Sequence, residues 1–426
     1  TIIVGRFVGV EALAAVGSTG SLHFLVIGFA TGMCSGFCIP VAHYFGAKDM
    51  KGVRTCIVNI IYLCVVMVSI LTAGMLAFIR PILVLMNTPA DIFDYALSYL
   101  RIIFAGIAAT IVYNILANIS RAVGDSRTPL YFLMIASLLN IGLDLLFVLV
   151  FHMGTAGVAT ATVLAQAIAG VLCFIYMALK FPELRLRRGE LRPSADVIAH
   201  LLHMGVPMAL QFSITAIGSI ILQSMVNIHG SIVVATVTAA SKVQMILGQP
   251  MEAMGSTMAT YSSQNLGAGR LDRVIDGVKK ALVISVLFSV LAFLIGVLFG
   301  TTIARLFIEP SQTAILDGIK QYLLRVGLFF WALAILLILR NAVQGLGYAL
   351  PAMLAGVFEL AARAIVGIAF VRPYGFAAVC FSNPTAWVFA IILLIPVYFR
   401  VISLLRARVD ENARLQGQGD SAVENP

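Results

Sequence analysis

The sequence predicts an all-α polytopic membrane protein with 12 transmembrane helices, the first one truncated. They form two six-helix lobes related by a parallel internal repeat. Three observations carry this prediction. Hydrophobic residues make up 61% of the 426, charged residues only 11%, and the mean hydropathy is +1.01. A soluble domain carries about 25% charged residues, so a chain this apolar must be solvated by lipid. Apolar runs of spanning length recur from one end to the other, and the second half repeats the first at a nearly constant offset.

Thr1-Ile-Ile-Val-Gly-Arg6 reads as the last part of a helix whose beginning lies outside the sequence. A span needs about 20 apolar residues. Runs of that length, bounded by charge, Gly or Pro, fall at 18–42, 54–79, 92–120, 129–151, 156–180, 197–226, 232–264, 275–307, 314–346, 350–371 and 376–404. Those longer than 25 residues must tilt or extend beyond the lipid. None alternates with period two, which argues against a β-barrel. The resulting organisation is an N-terminal lobe (1–180), a basic linker (181–196), a C-terminal lobe (197–404) and a polar, disordered tail (405–426).

The net charge of +9 is distributed by side. One set of connections holds seventeen Lys and Arg residues, from Lys48 through the linker to Arg408; the other holds only Arg80, Arg305 and Arg372. The positive-inside rule places the first set, and both termini, in the cytoplasm of a bacterial-type inner membrane. The excess therefore marks loops and not a nucleic-acid surface. The six cysteines lie in or beside apolar runs without metal-ligand or redox spacing, so no metal centre and no cofactor is expected.

Sliding the chain by 221 residues aligns Glu11–Val53 with Ile232–Val274 without a gap. At an offset of 223, Asn118 falls on Asn341 and Gly124 on Gly347; at 222, Pro129 falls on Pro351. An even number of helices per half starts both halves on the same side, giving parallel repeats with a substrate pathway between them.

Several segments carry a recognisable pattern. These are Glu11-Ala-Leu-Ala-Ala-Val16, Val41-Ala-His-Tyr-Phe-Gly-Ala-Lys48, Arg121-Ala-Val-Gly-Asp-Ser-Arg-Thr-Pro129, Gln249-Pro-Met-Glu252 and Gln264-Asn-Leu-Gly-Ala268. In this order and spacing the chain resembles the multidrug and toxin extrusion (MATE) family. Within it, the chain is most similar to the bacterial DNA-damage-inducible protein F-like branch. The resemblance implies an antiporter that exports amphipathic, often cationic compounds against inward H⁺ or Na⁺. It acts by alternating access in the lipid bilayer, as a functional monomer.

A charge at the bilayer centre costs about 2.5–3.5 kcal/mol on insertion scales, so each needs a reason. Asp144 lies deep in the run 129–151, with Asn140 four residues before it on the same helix face. A carboxylate and an amide oxygen can hold Na⁺, or desolvation can favour uptake of a proton. The alternative is a buried, satisfied polar pair between helices. The resemblance adds Thr162 on the next helix, with Thr160 two residues away, and an acid on the first helix outside this sequence. In the second half, Glu359 precedes Arg363 by four, the favourable order for a helix ion pair. Lys242 and Glu252 are ten residues apart, about 15 Å along a helix, and can line a cavity. Gln211 is a further polar candidate. No acid matches the one the NorM type carries on its seventh helix.

Three rival readings remain. A flippase of a lipid-linked saccharide would want several central cations, and chiefly Lys242 is found. An intramembrane enzyme would need paired acids, a Ser/His dyad or a metal cluster at membrane depth. A channel would need a filter or a ring of charges.

Overall fold

The structure, a computed structural model, describes residues 2–86, 88–305 and 312–423. Among these the chain is helical, and it divides into two compact units, Thr1–Ser213 and Ile214–Pro426.

The first unit opens with α1 (Ile2–Phe7) and α2 (Val10–Ser18), followed by α3 (Gly20–Gly46) and α4 (Met50–Leu85). The turn before α4 places Lys48 at φ 59°, and Asp49 Oδ1 accepts a hydrogen bond from Gly52 N at 2.9 Å, satisfying an amide that a helix start leaves open. Helices α5 (Ala90–Ala105) and α6 (Ile107–Ala122) form one span bent by 46° at Gly106. Helix α7 (Arg127–Leu145) ends in a π-helical turn, Leu146–Val150, and α8 (Gly154–Lys180) returns along it. Two 3₁₀ turns, Pro182–Leu184 and Arg188–Glu190, lead into α9 (Ala195–Asn227).

The division between the units falls inside α9, not in the linker 181–196. The physical reason is close packing of the N-terminal half of α9 on α3. A Cβ on Gly36 would lie 2.6 Å from the Gly205 Cα, so the two backbones touch where neither residue has a side chain. Leu201 and Ala209 then join Phe37, Ile60 and Phe104 in the core of the first unit.

The second unit repeats this plan with α10 (Ser231–Gly267), α11 (Leu271–Ala304), α12 (Thr313–Gly327) and α13 (Phe330–Gly345), the last two forming a span bent by 51°. Helix α14 (Ala349–Ile365) ends in a second π-helical turn, Val366–Phe370; α15 (Val371–Tyr374) and α16 (Phe376–Val423) follow. Its core holds Tyr322, Phe330, Ile338 and Trp387.

The duplication is written in the turns. Gly9 and Gly230 take positive φ (127° and 85°), as do Lys48 and Gly269 (59° and 70°) and Gly154 and Gly375 (58° and 54°), each pair 221 residues apart. Gly124 and Gly347 both stand at φ 92°, 223 residues apart. This is the region that favours glycine, so backbone geometry has been retained where side chains have diverged.

Nine helices among the described residues are long and apolar enough to cross a membrane, eleven if each bent pair is one span. They match the expected spans to within a few residues, apart from α2–α3, which starts earlier. Large apolar side chains such as Ile70 (65% exposed), Leu287 and Phe399 (both 66%) lie on the outside, where lipid and not water is the solvent. In the tail, α16 continues as helix to Val423. Arg, Ala, Leu and Gln recur there, and these are good helix formers even when polar.

Candidate functional site

Helix α7 buries little of itself. Its leucines are largely exposed, and the buried positions are Pro129, Ala136 and Asp144. Ala136, Asn140, Asp144 and Val148 recur every four residues, so they form the strip that meets α8. Ala136 packs in one buried cluster with Ala169 of α8, and small side chains there let the helices approach. Asn140 Nδ2 donates to Thr162 Oγ1 at 3.4 Å, and that hydroxyl donates to Val158 O at 2.9 Å. Thr160 instead turns back to Ala156 O at 2.8 Å, which separates the two threonines. Asp144 is 7% exposed, and its Oδ1 is buried with no hydrogen-bond partner. On α8, one turn beyond Thr162, Gln166 Oε1 is likewise buried and without a partner. Two adjacent helices thus present a carboxylate, two amides and a hydroxyl, all hard oxygen donors suited to a proton or an alkali cation.

In the second unit Glu359 and Arg363 do pair, with Arg363 Nη2 at 3.3 Å from Glu359 Oε2. They are part of a larger cluster. Arg340 Nη1 donates to Glu359 Oε1 at 2.7 Å, and Arg363 Nε donates to Asn383 Oδ1 at 3.2 Å. The three charged residues are each less than a tenth exposed. One acid shared by two guanidinium groups leaves a positive charge in excess.

Lys242 and Glu252 are exposed on α10, in a stripe with Met245, Gln249 and Ser256 at alternating spacings of three and four residues. Such a polar stripe cannot face hydrocarbon cheaply. Met251 and Met258, by contrast, are core residues. Gln211 is buried in the half of α9 that belongs to the first unit. The structure therefore brings together Asn140 and Thr162, with Asp144 one helical turn from Asn140, and separately Glu359 and Arg363.

A family model described as MatE matches residues 1–146 and 207–369. The probable multidrug resistance protein YpnP of Bacillus subtilis is 30% identical over 84% of this chain and 79% of its own length. The chain belongs to the MatE family. The probable multidrug resistance protein NorM of Thermotoga maritima is 26% identical over 81% of this chain and 74% of that protein. A solved outward-facing multidrug resistance MATE family transporter of the MOP superfamily superimposes with a TM-score of 0.88 at 23% identity, covering 95% of this chain and 90% of that one, and so shares the fold.

Sequence reasoning missed two members of the second cluster of this MatE chain. Arg340 lies inside the expected span 314–346, so the rule that every intramembrane charge needs a reason would have found it. Asn383 gives no such signal, since a lone amide in an apolar run is unremarkable. The repeat does mark it: at the offset of 221 it falls on Thr162. The α7–α8 link through Thr162 and the α14–α16 link through Asn383 thus occupy equivalent positions.

Two further networks of the MatE chain lie at the basic ends of its helices. Asp125 accepts from Thr128 N (3.1 Å), Thr128 Oγ1 and Tyr176 OH (both 2.8 Å), with Lys180 Nζ at 3.6 Å. Burial works against the Asp125 carboxylate, but the hydrogen bonds outweigh it and hold its pKa below the usual value. The linker is docked on α4. Arg54 forms a two-pronged bond to Glu190 (2.7 and 2.9 Å) and reaches Glu183 O. Tyr62 OH donates to Leu191 O, and Asn59 Oδ1 accepts from Ser194 N, both at 2.9 Å. The hydrogen bond from Arg54 lowers the Glu190 pKa.

Proposed function

We propose that this chain is a secondary active antiporter that exports amphipathic, often cationic compounds in exchange for H⁺ or Na⁺. In this reading Asn140, Asp144 and Thr162 form the cation-coupling site. The observation that carries it is the buried Asp144 oxygen without a hydrogen-bond partner, beside the Asn140–Thr162 contact. A buried carboxylate oxygen left without a partner costs stability and adds none to the fold, so its presence is accounted for by a cation that binds and leaves. The polar stripe with Lys242 and Glu252 lines the path of the exported compound, and Glu252 offers a cationic substrate an opposite charge. The protein works as a monomer in a bacterial cytoplasmic membrane, with its basic loops and both termini inside. The multidrug names of YpnP and NorM support the substrate class.

A flippase of lipid-linked saccharides would draw on central cations, and Arg340 and Arg363 supply two. Both are buried and engaged by Glu359, and Arg363 also by Asn383, which favours a structural role for them and leaves the antiporter reading the stronger.

The test uses the full-length protein in a host lacking its major efflux pumps. Dye efflux is driven separately by imposed proton and sodium gradients in the wild type and Asp144→Asn. The wild type should respond to one of the gradients, naming the ion, and the variant should lose at least about tenfold of that response, as expected for a coupling group. Equal gradient-driven efflux in both proteins would overturn the assignment.

A further inference from the structure

Each unit carries an apolar groove between three helices. In the first unit the groove has a volume of about 660 Å³ and runs between α4, α6 and α8, ending at the linker turn. In the second it has a volume of about 780 Å³ and runs between α11, α13 and α16. The two are the same groove duplicated. At the offset of 221, Met177 falls on Tyr398, Phe181 on Ile402 and Arg185 on Arg406, and all six line their respective grooves.

The arginines are the informative pair. The buried charges of the two halves are unmatched, since neither Asp144 nor Glu359 has a charged counterpart. Yet both grooves, walled by apolar side chains, end on an arginine at the same position of the repeat. Arg185 Nη2 donates to Ala178 O at 3.3 Å, which holds the guanidinium at the mouth. The second groove adds Lys279 to Arg406. These cations lie at the helix ends that carry the basic loops.

An apolar slot with a cation at its membrane-surface end matches a molecule with a hydrocarbon tail and an anionic head. We propose that each groove is a binding site for an anionic phospholipid of the leaflet that meets the basic loops. An acyl chain lies in the slot, and the headgroup phosphate is held by Arg185 in the first unit and by Arg406 with Lys279 in the second. Guanidinium groups suit phosphate because they donate in a planar fork, and basic pockets between transmembrane helices are known to take anionic headgroups. A cationic export substrate would be repelled at the same place.

The purified full-length chain, stripped of lipid in detergent, is titrated with phosphatidylglycerol or phosphatidylcholine of identical acyl chains, and bound lipids are counted by native mass spectrometry. Two phosphatidylglycerol molecules should be retained at concentrations where phosphatidylcholine is lost. Arg185→Gln should weaken one about fivefold, and Lys279→Gln with Arg406→Gln the other about 25-fold, from the worth of each basic residue near an anionic surface. Arg185→Lys should retain most of the affinity, and Arg127→Gln, outside both grooves, should change nothing. In the wild type, added salt should release phosphatidylglycerol selectively, a reading that needs no variant. Equal retention of the two lipids, or indifference to Arg185→Gln in a protein with an unchanged melting temperature, would overturn the proposal. Displacement of phosphatidylglycerol by an exported dye would also overturn it, by giving the grooves to the transported compound.

Discussion

In the first unit the buried acid, Asp144, keeps an oxygen without a partner, whereas in the second the buried acid, Glu359, is shared by Arg340 and Arg363. The helices around them follow the same order and bend at equivalent places. One backbone plan thus supports two electrostatic solutions. In the second, charge is spent internally to tie α13, α14 and α16 together. In the first, α7 and α8 are linked by a weak neutral contact and the charge stays available. A site that binds and releases a cation belongs where removing the charge costs the fold least.

This contrast can be broken most directly at Glu359. Glu359→Gln leaves two buried arginines without an acid and should destabilise the protein by about 3–5 kcal/mol, seen as a large drop in melting temperature in detergent. Asp144→Asn should move the other way or not at all, because an unsatisfied buried group already costs about 1–3 kcal/mol. Equal losses in the two variants would erase the distinction. The polar links come next. Thr162→Val and Asn383→Leu should each cost about 0.6–2 kcal/mol as interhelical hydrogen bonds, with the larger loss at Asn383, whose partner is charged. The smallest effect concerns the linker. The Glu190 pKa is lowered in the folded protein, so its contact with Arg54 stabilises above the unfolded value of about 4.3. That contribution is lost as pH falls through the folded pKa. Amide hydrogen exchange over 182–192, corrected for intrinsic rates, should therefore rise below about pH 4 in the wild type. In Glu190→Gln it should be raised already at pH 7.

Much of this was legible in the sequence, because lipid imposes a simple rule on composition. The spans follow from apolar run length and the repeat from a constant offset, while the Asn140–Asp144 strip and the Glu359–Arg363 pair follow from spacing along one helix. What was not legible depends on partners distant in sequence. Arg340 meets Glu359 across two helices, Arg54 meets Glu190 across 136 residues, and Gly36 meets Gly205 across a helix crossing. The helical form of the tail was not legible for a different reason. Low hydropathy argues against a buried core, but it does not argue against a helix when the residues favour one.

The passage of α9 from one unit into the other bears on how the chain can be divided. A cut in the linker, although it lies between the repeats, would leave the first half without the segment 195–213. Gly32 and Gly36 would then face an empty slot, while the second half would carry a helix with nothing to seat it. Halves expressed as separate polypeptides should behave as complementing fragments, each completing its folding only when that helix crosses over.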